Sequence, residues 1–234
     1  MTHLLLISTS TVFGTRYIEH AFEELTGLLG STRRVLFVPY ALKDTDSYAA
    51  KARAAFSEIG YDLDSIHELP DALSAIHQAQ AVFVGGGNTF RLLKTLYDGR
   101  LLEPIRSRVL EGMPYSGASA GANLACPTVR TTNDMPIVEP PSLNALNLVP
   151  FQINPHYVDS DPSSIHMGET RETRIREFLE ENSTPVIGLR EGAMLRVEDR
   201  RVQLRGRAGA RIFCRDRSPV EVGPASDLND YLSL

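Results

Sequence analysis

Apolar residues along the chain fall into two alternating patterns. Short unbroken apolar runs at His3–Ile7, Arg34–Pro39 and Ala81–Val84 predict strands buried on both faces. Between them lie longer segments whose apolar positions recur every three or four residues. These predict helices over Arg16–Leu29, Ser47–Ile59, Asp71–Gln78, Thr89–Leu96 and Leu101–Glu111, with a weaker strand at Asp64–Leu69. Strand alternating with helix predicts an α/β fold of three layers, a mostly parallel central sheet with helices on both faces.

The second half reads differently. Met113–Gly117 predicts a short strand, and Thr131–Pro150, rich in Pro, Asn and Thr, predicts a long loop. Loops of that length are uncommon unless they serve a function. Glu169–Glu181 predicts a helix and Val186–Leu189 a strand. Ala193–Val197, Val202–Leu204 and Arg211–Cys214 predict short antiparallel strands at the far edge of the sheet. No repeat or linker interrupts residues 1–234, so one domain is expected.

Composition narrows the function classes. A net charge of -5 argues against nucleic acid as a partner. No apolar run is long enough to cross a membrane, and "HLLLIS" is too short for a secretory signal. Cys126 and Cys214 are far apart and lack metal-ligand spacing, which fits a reducing cytoplasm, and no metal or cofactor is expected. Cys126 reads as buried packing.

The chemistry centres on "YSGASAGANLAC". Gly117-Ala118-Ser119-Ala120-Gly121 is a G-x-S-x-G pattern with a strand before it and a helix-forming run after it. A sharp turn in that context lifts a serine hydroxyl above the sheet end as a nucleophile. The same small residues could also serve only close helix–strand packing, but the strand and helix context favours the nucleophile. The Ala120 N–H is the natural first oxyanion donor. Gly85-Gly86-Gly87-Asn88, which ends a strand and opens a helix, offers a second donor in Gly87 and an amide in Asn88 able to hold a substrate group. As a phosphate cradle the same run lacks both the Walker Lys-Ser/Thr and the full G-x-G-x-x-G spacing. Of six histidines, His156 in "FQINPHY" is the candidate base, because it follows an apolar strand and so reaches a sheet end.

Four segments, "GGGNTFRLLKTLY", "SGASAGANLACPTVRTTNDMPIV", "LNLVPFQINPHY" and "GETRETRIREFLEEN", resemble the peptidase E family of α-aspartyl dipeptidases. The resemblance runs from about Phe83 to Glu191 and is looser at both ends. It implies a fold related to class I glutamine amidotransferases, usually a homodimer, and hydrolysis of Asp-X dipeptides without metal or cofactor. By position it implies Ser119 as nucleophile, His156 as base and Glu191, in "GLREGA", as the acid. Asp134, in the long loop, stands as an alternative acid or as a binder of the substrate ammonium group.

A substrate β-carboxylate calls for a guanidinium. Arg171 shares a predicted helix face with Ile175, Phe178 and Leu179, which makes it the first candidate, and Arg130 is the second. The arginines from Arg190 to Arg217 are interleaved with acids and read as a solvated face. Two other functions fit the same pattern: a cyanophycinase-like serine peptidase, and a non-catalytic ligand-binding protein on the same scaffold.

Overall fold

The computed structural model describes residues 1–161, 163, 165 and 167–229; His166, one of the six histidines, lies outside them. In chain order the elements are β1 (His3–Ile7), α1 (Phe22–Leu29), β2 (Arg34–Val38), α2 (Thr45–Glu58), β3 (Asp62–Ser65), α3 (Ala72–Gln78) and β4 (Val82–Val84). There follow α4 (Thr89–Asp98), α5 (Leu102–Leu110), β5 (Tyr115–Ala118), α6 (Ala120–Leu124), β6 (Gln152–Tyr157) and α7 (Arg171–Glu181). The last strands are β7 (Val186–Arg190), β8 (Ala193–Glu198), β9 (Arg201–Gly206), β10 (Ala210–Phe213) and β11 (Val220–Val222).

The strands form two sheets. The larger has seven, in the order β3-β2-β4-β5-β1-β8-β9. From β3 to β1 all neighbours are parallel, while β8 and β9 join antiparallel at the edge. Alternate residues of each strand serve opposite faces. Leu5, Ile7, Phe37 and Phe83 pack with Leu25, Ala52 and Phe56 of α1 and α2. Leu4, Leu6, Val38 and Val84 pack with Leu92, Leu96, Ile105 and Leu124 of α4, α5 and α6. Burial on both faces explains why these strands read as continuous apolar runs. Phe83 lies between Phe37, with ring centroids 5.5 Å apart, and Phe56, at 5.1 Å, so the three rings tie β2, β4 and α2 together.

The smaller sheet runs β11-β10-β7-β6, with β6 and β7 parallel and the others antiparallel. Its Ile153, Ile187, Leu189 and Ile212 join the same apolar cluster as Leu4, Leu6 and Val84. The run expected at Arg211–Cys214 therefore belongs to this second sheet and not to the edge of the first. The helix expected over Arg16–Leu29 begins only at Phe22, after a 3-10 turn at Glu19–Ala21, because Ile18 takes a left-handed φ of 48°. The weak strand expected at Asp64–Leu69 ends at Ser65, where a 3-10 turn over Ile66–Glu68 begins. No described helix is long and apolar enough to cross a membrane.

Candidate active site

Ser119 stands between the end of β5 and the start of α6 with φ 52° and ψ -104°. A non-glycine residue held there stores backbone strain of about 1–3 kcal/mol. The turn exists because its neighbours have no side chains: a Cβ on Gly117 would collide with the Gly121 carbonyl, and one on Gly121 with the Val84 carbonyl. Small residues thus let α6 approach β4 and β5 closely around Ser119.

His156 comes from the other sheet. β6 pairs in register with β7 up to Pro155 and Leu189, then slips, so that Tyr157 faces Arg190 and His156 is the extra residue of a β-bulge. Its φ is 50°. Bulges re-aim side chains, and this one turns the imidazole toward Ser119, whose Oγ lies 3.0 Å from His156 Nε2. Glu191 follows β7 directly, and its Oε1 lies 2.8 Å from His156 Nδ1. A carboxylate can only accept, so Nδ1 carries the proton and Nε2 is left to accept from the Ser119 hydroxyl. Side-chain exposures of 38% for His156 and 53% for Glu191 leave this chain open to solvent and to a small ligand.

The glycine loop borders Ser119. A Cβ on Gly86 would sit 3.1 Å from both the Ala118 carbonyl and the Ser119 Cβ, so the loop and the turn are in close contact. The Gly86 N–H faces the Tyr48 hydroxyl. The N–H groups of Gly87 and Ala120 have no hydrogen-bond partner among the described residues. Gly87 itself, at φ 135°, lies against the Ala41 carbonyl, where a side chain could not fit.

Asp134 makes no hydrogen bond with His156. Its Oδ2 accepts from the Thr89 N–H at 2.7 Å, the Thr89 hydroxyl at 2.6 Å and the Thr132 hydroxyl at 3.1 Å. No described residue donates to its Oδ1. Asn88, expected to hold a substrate group, has its amide engaged within the protein: Oδ1 caps α4 by accepting from the Arg91 N–H at 3.0 Å, and Nδ2 donates to the Met135 carbonyl at 2.9 Å. An asparagine just before a helix is a preferred cap, and here the side chain serves the scaffold as such a cap.

Arg171 opens α7 and is half-buried. Burial first, then the charge of Arg174, holds its pKa below the ordinary arginine value, while Asp134 pulls the other way. Arg171 makes no hydrogen bond or ion pair among the described residues. Arg190, although adjacent to Glu191, is taken: it donates to both oxygens of Asp159 at 2.7 Å and pairs with Glu221. Arg211 pairs with Glu172 and Glu221. Arg130 is exposed in the loop. Among the described residues there is no group of three or more His, Cys, Asp or Glu that could hold a metal ion.

Sequence reasoning missed the side chains that hold this assembly. Asn133 donates to the Pro155 carbonyl at 2.6 Å, and Asn154 donates to Asn133 Oδ1 at 2.7 Å and to the Thr131 carbonyl at 2.9 Å. Thr131 and Asn123 both donate to the Ile153 carbonyl, at 2.7 Å and 2.6 Å. The long loop is therefore tied to β6 just before the bulge. Its Asn and Thr content was the available signal.

The family model for peptidase family S51 matches residues 4–205. A peptidase E of Streptomyces coelicolor is 55% identical over 232 residues, covering 99% of this chain and 96% of that one. A probable alpha-aspartyl dipeptidase of Drosophila melanogaster is 48% identical over 233 residues, covering 98% of this chain and 97% of that one. Among solved structures, a peptidase from an acI-B1 actinobacterium superposes with a TM-score of 0.71 at 17% identity, over 97% of this chain and 96% of that one. A putative peptidase E protein of Listeria monocytogenes superposes with a TM-score of 0.66 at 21% identity, over 88% of this chain and 98% of that one. At those identities the solved structures speak for the α/β fold alone, whereas the family model and the closely similar sequences speak for kinship along nearly the whole chain. The chain belongs to peptidase family S51 and is a hydrolase of peptide bonds.

Proposed function

We propose that the protein is a serine dipeptidase that hydrolyses dipeptides with an N-terminal aspartate, with Ser119 as nucleophile, His156 as general base and Glu191 as the acid that orients it. The observation that carries this reading is the continuous hydrogen-bonded path from Ser119 Oγ through His156 to Glu191, at 3.0 Å and 2.8 Å. Ser119 Oγ attacks the carbonyl carbon of the aspartyl residue as its proton passes to His156 Nε2, and Glu191 stabilises the imidazolium that forms. The negative charge on the former carbonyl oxygen is met by the N–H groups of Ala120 and Gly87. The C–N bond then breaks, His156 returns the proton to the leaving amine, and water repeats the sequence on the acyl-enzyme.

Two further charged groups suit the substrate's own charges. Arg171, unpaired among the described residues, is matched to a β-carboxylate. Asp134, with Oδ1 open, is matched to the α-ammonium group that a dipeptidase must sense. The relatives named peptidase E and alpha-aspartyl dipeptidase support the same substrate class. The chain is read as one domain acting as a homodimer in the cytoplasm; the wide separation of Cys126 and Cys214 in the sequence is compatible with a reducing compartment.

The test is hydrolysis of Asp-Leu by wild type and by Ser119→Ala. Removing a triad nucleophile lowers kcat by about 10⁶, so the variant should be inert while its circular dichroism is unchanged. Activity of more than about a tenth of wild type, far above that expectation, would exclude Ser119 as nucleophile.

A further inference from the structure

The last residue of β1 and the one after it together touch every segment that carries the proposed triad. The Ile7 carbonyl accepts from the Ser119 N–H at 2.8 Å. The Ser8 hydroxyl accepts from the His156 N–H at 2.9 Å and donates to the Leu189 carbonyl at 2.7 Å, two residues before Glu191. The Ser8 N–H donates to the Ala193 carbonyl at 3.1 Å, two residues after Glu191. Two consecutive residues thus fix the backbone of the nucleophile, of the base and of both sides of the acid. Ser8 is fully buried.

The bulge explains what this hydroxyl does. In an unbroken parallel ladder a carbonyl accepts from the amide one residue beyond its partner. Leu189 is paired with Pro155, so the Leu189 carbonyl would take the His156 N–H. The extra residue separates the two groups, and the Ser8 hydroxyl lies between them, accepting from one and donating to the other. Without it, a buried donor and a buried acceptor would each lose a partner at the residue whose φ of 50° aims the imidazole. The Pro155 carbonyl on the preceding peptide is held independently by Asn133.

We infer that Ser8 is a positioning residue of the active site: its hydroxyl completes the ladder across the His156 bulge and thereby sets the base and the acid relative to one another, beside the Ile7 carbonyl that holds the Ser119 backbone. The inference rests on the proposed roles of Ser119, His156 and Glu191. Ser8 touches no substrate atom. Its effect belongs on the chemical step, because the groups that bind substrate, Arg171 and Asp134, hang from other elements.

The experiment compares wild type, Ser8→Ala and Ser8→Cys on Asp-Leu, together with the rate at which each is inactivated by a phosphonofluoridate, a reagent that needs an activated serine. The Ala variant should lose about 10- to 100-fold in kcat, the scale on which misplacing a catalytic group acts, with KM changed less than about twofold, and inactivation should slow in parallel. The Cys variant, close to serine in volume and able to donate weakly, should fall between the two and keeps the test open if the Ala variant does not fold. A merely structural Ser8 would lower the melting temperature but leave kcat and inactivation rate per folded molecule within about twofold, far inside that range, and this result would overturn the inference. If wild type itself neither cleaves Asp-Leu nor reacts with the phosphonofluoridate, the serine-dipeptidase reading has failed, which is a different outcome from an unaffected Ser8 variant.

Discussion

Glu191 and His156 are joined at 2.8 Å although they come from neighbouring strands of the smaller sheet and not from the sheet that carries Ser119. β6 and β7 are parallel partners, so the bulge at the end of one and the first residue beyond the other meet at the same sheet edge. A carboxylate on such a rigid support orients a base better than one on a loop. Glu191→Gln should therefore lower kcat on Asp-Leu by about 10²–10⁴, as triad-acid replacements do, with KM little altered. Steady-state kinetics decides this, and a variant with near wild-type kcat would remove Glu191 from the triad.

Asp134 should behave in the opposite way. Its Oδ2 holds Thr89 and Thr132 while Oδ1 is open. Asp134→Asn keeps an acceptor for the threonines but loses the charge that would hold the substrate ammonium group. A charge-assisted hydrogen bond contributes about 1.5–3 kcal/mol, so KM should rise by roughly 10- to 100-fold with a smaller change in kcat. A collapse of kcat at unchanged KM would instead give Asp134 a part in the chemistry.

Arg171→Met should erase the preference for aspartate. The half-buried guanidinium lacks a carboxylate among the described residues, so the substrate's β-carboxylate is its natural partner. Wild type should favour Asp-Leu over Asn-Leu by about 10- to 100-fold in kcat/KM, the worth of a charge-assisted pair, and the Met variant should treat them alike. Discrimination that survives in Arg171→Met would place the carboxylate site elsewhere.

Cys126 predicts an alkaline limit to stability. Burial pushes its thiol up from the ordinary 9.0 to about 12. Above the ordinary value the unfolded chain loses this proton while the folded chain keeps it, so folded stability falls as pH rises through that window. Tyr17 and Tyr115, also raised by burial, add to the trend above their ordinary 10.0. Cys126→Ala should lose less stability than wild type between pH 9.0 and about 12, measured as the shift in urea midpoint. Equal slopes for the two proteins would contradict a buried neutral thiol.

How much of this was legible beforehand depended on whether a feature is local. The Ser119 turn is local: glycines at 117 and 121 between an apolar strand and a helix-forming run announce it. The parallel strands of the larger sheet announce themselves too, because burial on both faces makes them continuous apolar runs. Sheet membership is not local. "QINPHY" and "VIGLR" look like any buried strands, and nothing in them says that they leave the main sheet. The bulge at His156 carries no glycine to mark it, since its left-handed backbone is imposed by Ser8, Asn133 and the neighbouring strand. Ile18 hides its left-handed φ in the same way, which is why α1 starts later than its periodicity suggests. Asn88 shows another limit: its position before a helix is a capping signal, and the open-ended chemistry of an amide obscured it.

The wide separation of the contacts at Ser8 bears on the life of the chain before it is complete. Its hydroxyl joins positions 148 and 181 residues further along, so these two contacts form only when most of the sequence exists. An N-terminal fragment that stops before β6 would carry the Ser119 turn without His156 or Glu191. On the proposed mechanism, the growing polypeptide has a serine but no means of activating it until the second sheet is made.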